Sequence, residues 1–113
     1  MPAFAIDLSH LDFRNDAKRA GKRHPSLLKE DLPKLIDSLK EQPEIGDRIS
    51  GLSAEVRKAR VGVRQQNLGP RGAYRLIYRV NRETSVLQPL ALYYKPDLPD
   101  LPLRAVLNRL ANG

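Results

Sequence analysis

Three stretches of this chain alternate with a period of two, and turn-forming residues separate them. In residues 55–64, Ala59, Val61 and Val63 fall on one side and Lys58, Arg60 and Arg64 on the other. In residues 73–81, Tyr74, Leu76, Tyr78 and Val80 oppose Arg75, Ile77 and Arg79. In residues 85–95, Leu90, Leu92 and Tyr94 oppose Ala91, Tyr93 and Lys95. Successive side chains of a strand point to opposite faces, so this pattern predicts strands with one face on a core. Residues 65–72 and 81–84 are rich in turn formers, which predicts an antiparallel meander. Pro89 removes one ladder donor and predicts a bulge or an edge position in the third strand.

The first half of the chain reads differently. Residues 2–7 are a short alternating run, a candidate first strand. Ser9, with Asp12 three residues on, predicts a helix start, and Phe13, Ala17 and Ala20 then share one helical face. Pro25-Ser26 opens a second helix, in which Leu28, Leu32, Leu35, Ile36 and Leu39 recur at helical spacing. Pro33 interrupts that stripe, so either the helix kinks or it is capped at Asp31. A short link makes the two a helical hairpin. After Pro102, the residues Leu103, Val106, Leu107 and Leu110 predict a last amphipathic helix. The expected fold class is α+β, in the order β-α-α-β-β-β-α. A small antiparallel β-sheet carries the helical hairpin packed on one face, in a single domain spanning residues 1–113.

Composition removes several alternatives. The 113 residues include no cysteine, which excludes disulfides and thiolate metal sites. His10 and His24 are the only histidines. Both lie in the helical half, where surface or helix-end positions are expected, and no metal ligand set appears. No cofactor is implied. No apolar run is long enough to cross a bilayer, and the first residues lack the features of a secretory signal. These features together predict a cytoplasmic protein without a membrane partner.

Charge then separates one part of the chain from the rest. The net charge is +7, and thirteen of the twenty bases are arginine. Between residues 48 and 82, Arg48, Arg57, Lys58, Arg60, Arg64, Arg71, Arg75, Arg79 and Arg82 stand against Glu55 alone, a net of +8. Ordinary surfaces mix signs. Alternation gathers Lys58, Arg60, Arg75, Arg79, Tyr93 and Lys95 on one sheet face, and a polyphosphate is the natural guest for it. RNA can be cut there without a metal if its own 2′-hydroxyl attacks the adjacent phosphate. That reaction needs a base, an acid and cations around the transition state. Arginine supplies only the cations. Lys58 and Tyr93 are the candidates for proton transfer, and Tyr93 is also a candidate for stacking on a base.

The segments Val56-Arg57-Lys58-Ala59-Arg60-Val61, Gly72-Ala73-Tyr74-Arg75-Leu76-Ile77-Tyr78-Arg79-Val80 and Leu92-Tyr93-Tyr94-Lys95 resemble the RelE/ParE toxin superfamily. The resemblance is closer to its RelE and HigB-like nuclease branch and runs over nearly the whole chain. It implies the toxin of a bacterial type II toxin–antitoxin system, a ribosome-dependent, metal-free endoribonuclease that cleaves translated mRNA. The implied partners are a cognate antitoxin protein, mRNA and the ribosome. Carried over by position, the implied catalytic set is Lys58, Arg60, Arg75, Tyr93 and Lys95. Arg57, Arg64, Arg71 and Arg79 are the accompanying RNA-binding residues. The last helix carries neither the tyrosine nor the histidine that the nuclease branch often uses, so the resemblance leaves the proton donor unnamed. Two other readings suit the same residues: a ParE-like inhibitor of DNA gyrase, and a non-catalytic nucleic-acid-binding module.

Overall fold

The three alternating runs form the strands β3 (Val56–Val61), β4 (Tyr74–Asn81) and β5 (Val86–Tyr94) of an antiparallel meander in a computed structural model that describes residues 3–69 and 73–113. Two short strands extend it to five, in the order β1-β5-β4-β3-β2. β1 (Ala5–Ile6) is the expected first strand, but it lies parallel to β5, so the sheet is mixed rather than wholly antiparallel. β2 (Asp47–Arg48) was not expected. It turns back onto β3 through Gly51, whose φ of +86° suits glycine.

The helical layer consists of α1 (Leu11–Arg23), a π-helical turn (Leu27–Asp31) and α2 (Leu32–Glu41). The cap of α1 is His10, not Ser9: its Nδ1 accepts from the Asp12 N–H at 3.2 Å, while Ser9 bonds Asp7. In the second helix neither Ser26 nor Asp31 makes a side-chain cap. The proline conflict is resolved by widening: the Leu32 N–H reaches back five residues to the Leu27 carbonyl. Pro33 has no N–H to give to a regular turn, and its ring would crowd the carbonyl four residues earlier. The wider turn also rotates the stripe, so Leu27 is fully buried and Leu28 only partly.

This layer covers the Ala59, Val61, Tyr74, Leu76, Tyr78 and Val80 face, as the alternation predicts. Tyr78 closes that core against the 43–46 turn. Its buried hydroxyl donates to the Pro43 carbonyl (2.6 Å) and accepts from the Gly46 N–H (3.0 Å). A Cβ at Gly46 would lie 2.7 Å from that hydroxyl, so the close approach requires glycine.

The opposite face departs from expectation. It is not displayed whole, because α3 (Leu103–Asn112) and residues 49–54 pack on part of it. The cause is the bulge announced by Pro89. Ile77 pairs with Ala91, but Tyr78 pairs with Pro89, so Leu90 is the extra residue. Leu90 is thereby turned from the side of Leu92 to that of Val56, Ile77 and Ala91. This apolar strip is covered by Val106, Leu101 and Leu110.

β5 is paired outward by β1 at only two positions. Further along, the Leu92 N–H donates to buried Asp16 of α1 (3.0 Å), and Arg109 of α3 donates to the Leu90 carbonyl (2.9 Å). Asp16 and Arg109 are themselves paired at 2.6 Å. An ion pair thus satisfies a sheet edge that a sixth strand would otherwise fill. His10, accepting at Nδ1, carries its proton on Nε2 and donates it to the Arg109 carbonyl (2.7 Å), tying α1 to α3.

Candidate functional site

Register brings the central candidates into one row. Arg60 of β3 stands opposite Arg75 of β4, which stands opposite Tyr93 of β5. Directly paired side chains lie about 5 Å apart at Cβ, and like charges so placed cost up to ~1 kcal/mol. Lys58 lies one row down, beside Ile77 and Ala91. Lys95 follows just past β5, with its N–H still on the ladder through the Ala73 carbonyl (2.8 Å), and alternation carries it to the Tyr93 side. The five residues carried over as catalytic therefore lie in adjoining rows at one end of the face, where Tyr93 packs into the strip that α3 covers.

The environment of each group sets what it can do. Arg75 is 6% exposed and donates to the Tyr74 carbonyl at 3.1 Å. Burial, and then Arg60, lower its pKa from the ordinary arginine value, while Tyr93 acts the other way. A guanidinium nonetheless stays charged in a protein, so Arg75 is a fixed buried cation. Burial pushes Tyr93 up to about 12, with Asp100 adding to the effect. Tyr93 keeps its O–H through neutral pH and can only donate a proton there. Its ring is buried, which removes the stacking role considered for it. The Tyr93 hydroxyl and Lys58 Nζ both reach Asp100, at 3.2 and 3.0 Å. Lys58 holds the Asp100 carboxyl below its usual range, the largest influence on it.

Of the four accompanying arginines, the three among the described residues do not gather with this cluster. Arg79 is on the same face but pairs with Val56 and Gln88, two rows beyond Arg75 and past Ile77. Arg57 points to the other side, where it donates to Glu55 (2.7 Å) and to the Gly46 carbonyl (2.8 Å). Arg64 begins a 3-10 turn whose N–H is held by Asp31, and with Lys34 and Arg60 it borders an open cleft beside β3. Arg71 lies outside the described residues. Glu55 also binds Arg82 in a two-pronged pair, and together the two arginines bring its carboxyl down to about 2 against the opposing effect of burial. The lone acid of the 48–82 segment thus occupies two of its nine bases.

Three features escaped the sequence reading: Asp100, Asp16 and the pairing of Tyr74 with His24. Asp100 lies in a proline-rich linker and carried no local signal. Asp16 reads as one more surface charge of α1. His24 caps the C-terminal end of α1, as a helix-end residue should, but its Nδ1 also meets the Tyr74 hydroxyl at 2.8 Å. Burial, and then Arg23, push His24 down; burial pushes Tyr74 up. Arg23 lies over the Tyr94 ring, 4.2 Å from its centre, and pairs with Asp97. Arg23, Tyr74, Tyr94 and Asp97 border a cleft of about 330 Å³ outside β5. Among the described residues no three His, Asp or Glu side chains stand close enough to hold a metal ion, and no helix is long and apolar enough to cross a membrane.

A mixed five-stranded sheet with a helical hairpin on one face, and a cationic row beside a short helix on the other, defines a RelE-like fold. Among solved structures, the isolated E. coli RelE toxin is similar, with a TM-score of 0.55 over 96% of this chain and 99% of that one, at 19% sequence identity. No family model matches the chain, and no curated protein matches it in sequence.

Proposed function

We propose that this chain is the toxin of a type II toxin–antitoxin system, an endoribonuclease that cleaves translated mRNA on the ribosome, in the cytoplasm. The observation that carries the reading is the Arg60–Arg75–Tyr93 row with Lys58 beside it: a buried cation, two accessible cations and a neutral phenol at one end of a sheet. The likeness in fold to a RelE toxin supports the same reading. Arg75 and Arg60 take the scissile phosphate and the charge that builds on it during attack by the 2′-hydroxyl. Tyr93, protonated at neutral pH, donates toward the departing 5′-oxygen, and the attacking 2′-hydroxyl gives its proton to water. Lys58 and Lys95 hold the adjoining phosphate oxygens. Arg64 and Arg79, set apart from the row, track the RNA on either side. A cognate antitoxin offsets this cationic face with an acidic or amphipathic segment.

The test is expression under tight control, followed by mapping of mRNA ends with and without ribosomes. Growth arrest with ribosome-dependent cleavage is expected, abolished by Arg75→Ala in a protein that still folds. Intact mRNA with loss of gyrase supercoiling would select the gyrase reading instead. Undiminished toxicity of Arg75→Ala would remove the assigned site.

A further inference from the structure

Three donors converge on one atom, Asp100 Oδ1. They are Lys58 Nζ at 3.0 Å, the Tyr93 hydroxyl at 3.2 Å and the backbone N–H of Leu101 at 3.0 Å. They come from β3, from β5 and from the linker to α3. An ammonium, a phenol and an amide around one anionic oxygen form the donor set that suits a non-bridging phosphate oxygen. The Asp100 side chain is 65% exposed, so solvent and solutes reach the same place. An ion pair this exposed is weak and gives way to a better anion. The carboxyl is held below its usual range, chiefly by Lys58, so at neutral pH it is an anion and a poor base.

We infer that Asp100 is a built-in occupant of a phosphate-oxygen cradle made by Lys58, Tyr93 and the Leu101 N–H, and that an RNA phosphate displaces it on binding. This rests on reading the cationic row as a phosphate site. It adds the Leu101 amide to that site and makes Asp100 a competitor of the substrate. In the empty protein the carboxylate offsets Lys58 and holds the linker against the sheet. When RNA arrives, the phosphate takes over the three donors and the Asp100 side chain turns out to solvent, while the Leu101 amide stays in place.

The experiment is fluorescence anisotropy with a short 2′-O-methyl RNA, which cannot be cleaved. Wild type is compared with Asp100→Asn, Asp97→Asn and Arg75→Ala. Asp97 is on the same linker and carries the same charge but pairs with Arg23, so it controls for net charge. Asp100→Asn should bind about two- to fivefold more tightly, the span of one exposed ion pair, and Asp97→Asn should change binding much less. Equal or weaker binding by Asp100→Asn overturns the inference, as does an equal gain from Asp97→Asn. If wild type binds and Arg75→Ala does not, the phosphate site stands whatever Asp100→Asn does. If none of the four proteins binds, both readings fall.

Discussion

Replacing Glu55 by glutamine removes the one acid of the 48–82 segment without changing its shape. Glu55 Oε2 takes the Arg57 Nε–H at 2.7 Å, and both carboxylate oxygens take the Arg82 fork at 2.7 and 3.0 Å. The Glu55 side chain is only 12% exposed, and its pKa falls from an ordinary 4.5 to about 2. At about 1.36 kcal/mol per tenfold change in acidity, that depression corresponds to roughly 3 kcal/mol. Arg82 is half exposed, and screening of that partner reduces the figure to about 2 kcal/mol. The folded-state pKa lies below the unfolded one. The stabilisation is therefore complete above about pH 4.5 and is lost as pH falls toward 2. Urea unfolding of wild type and Glu55→Gln at pH 7, 4.5 and 3 measures the gap at each pH. It should be about 2 kcal/mol at pH 7 and under half of that at pH 3. Taking the difference cancels the other carboxylates. A gap that stays constant down to pH 3, or a variant as stable as wild type at pH 7, would refute the assigned role.

Asp16→Asn should destabilise the fold by ~3 kcal/mol, because it leaves Arg109 half-paired and breaks the clamp on β5. Amide exchange should show α3 loosening before the meander does, and uniform loss of protection would contradict this. Tyr78→Phe should cost about 1–3 kcal/mol in thermal or urea unfolding, since the Pro43 carbonyl and the Gly46 N–H lose their shared partner. An unchanged midpoint would mean that those groups find another partner. Arg75→Lys keeps the charge but loses the guanidinium fork. It should fold normally and cleave at least tenfold more slowly, and wild-type cleavage would reduce Arg75 to a bare charge.

Much of the sheet is visible in the period of two. The limits of β4 and β5, the inner face and the row of Arg60, Arg75 and Tyr93 follow from alternation and from pairing in a meander, whereas β3 ends at Val61, three residues before the alternating run does. Pro89 signals the bulge, but its consequence is not local. Only the inserted Leu90 shows that the outer face becomes apolar enough to need α3. The charge count likewise locates the cationic segment without sorting its members, because Arg57 and Lys58 are adjacent in the chain yet project to opposite faces. Glu55 holds Arg57, and Asp100 holds Lys58 from 42 positions away. Asp16 bonds a backbone amide 76 residues distant. No periodicity encodes such contacts, since each depends on where two independently predictable elements come to rest. The π-helical turn is of the same kind: Pro33 announces a conflict, and packing chooses how it is resolved.

The parallel pairing of β1 with β5 also sets an order of assembly. Ala5 lies beside Val86, and the amide of Asp7 bonds the carbonyl of Leu87. Among the described strands a ribosome makes β1 first and its partner β5 last, so the segment carrying β1 waits while the consecutive strands β3, β4 and β5 form the meander. Asp16 waits as well, for the Leu92 amide and then for Arg109 of α3. Tyr93, Lys95 and Asp100 emerge in the same late stretch. The layers therefore lock together only once α3 has emerged, and a chain cut short before α3 carries most of its positive charge but not the clamp that closes its sheet.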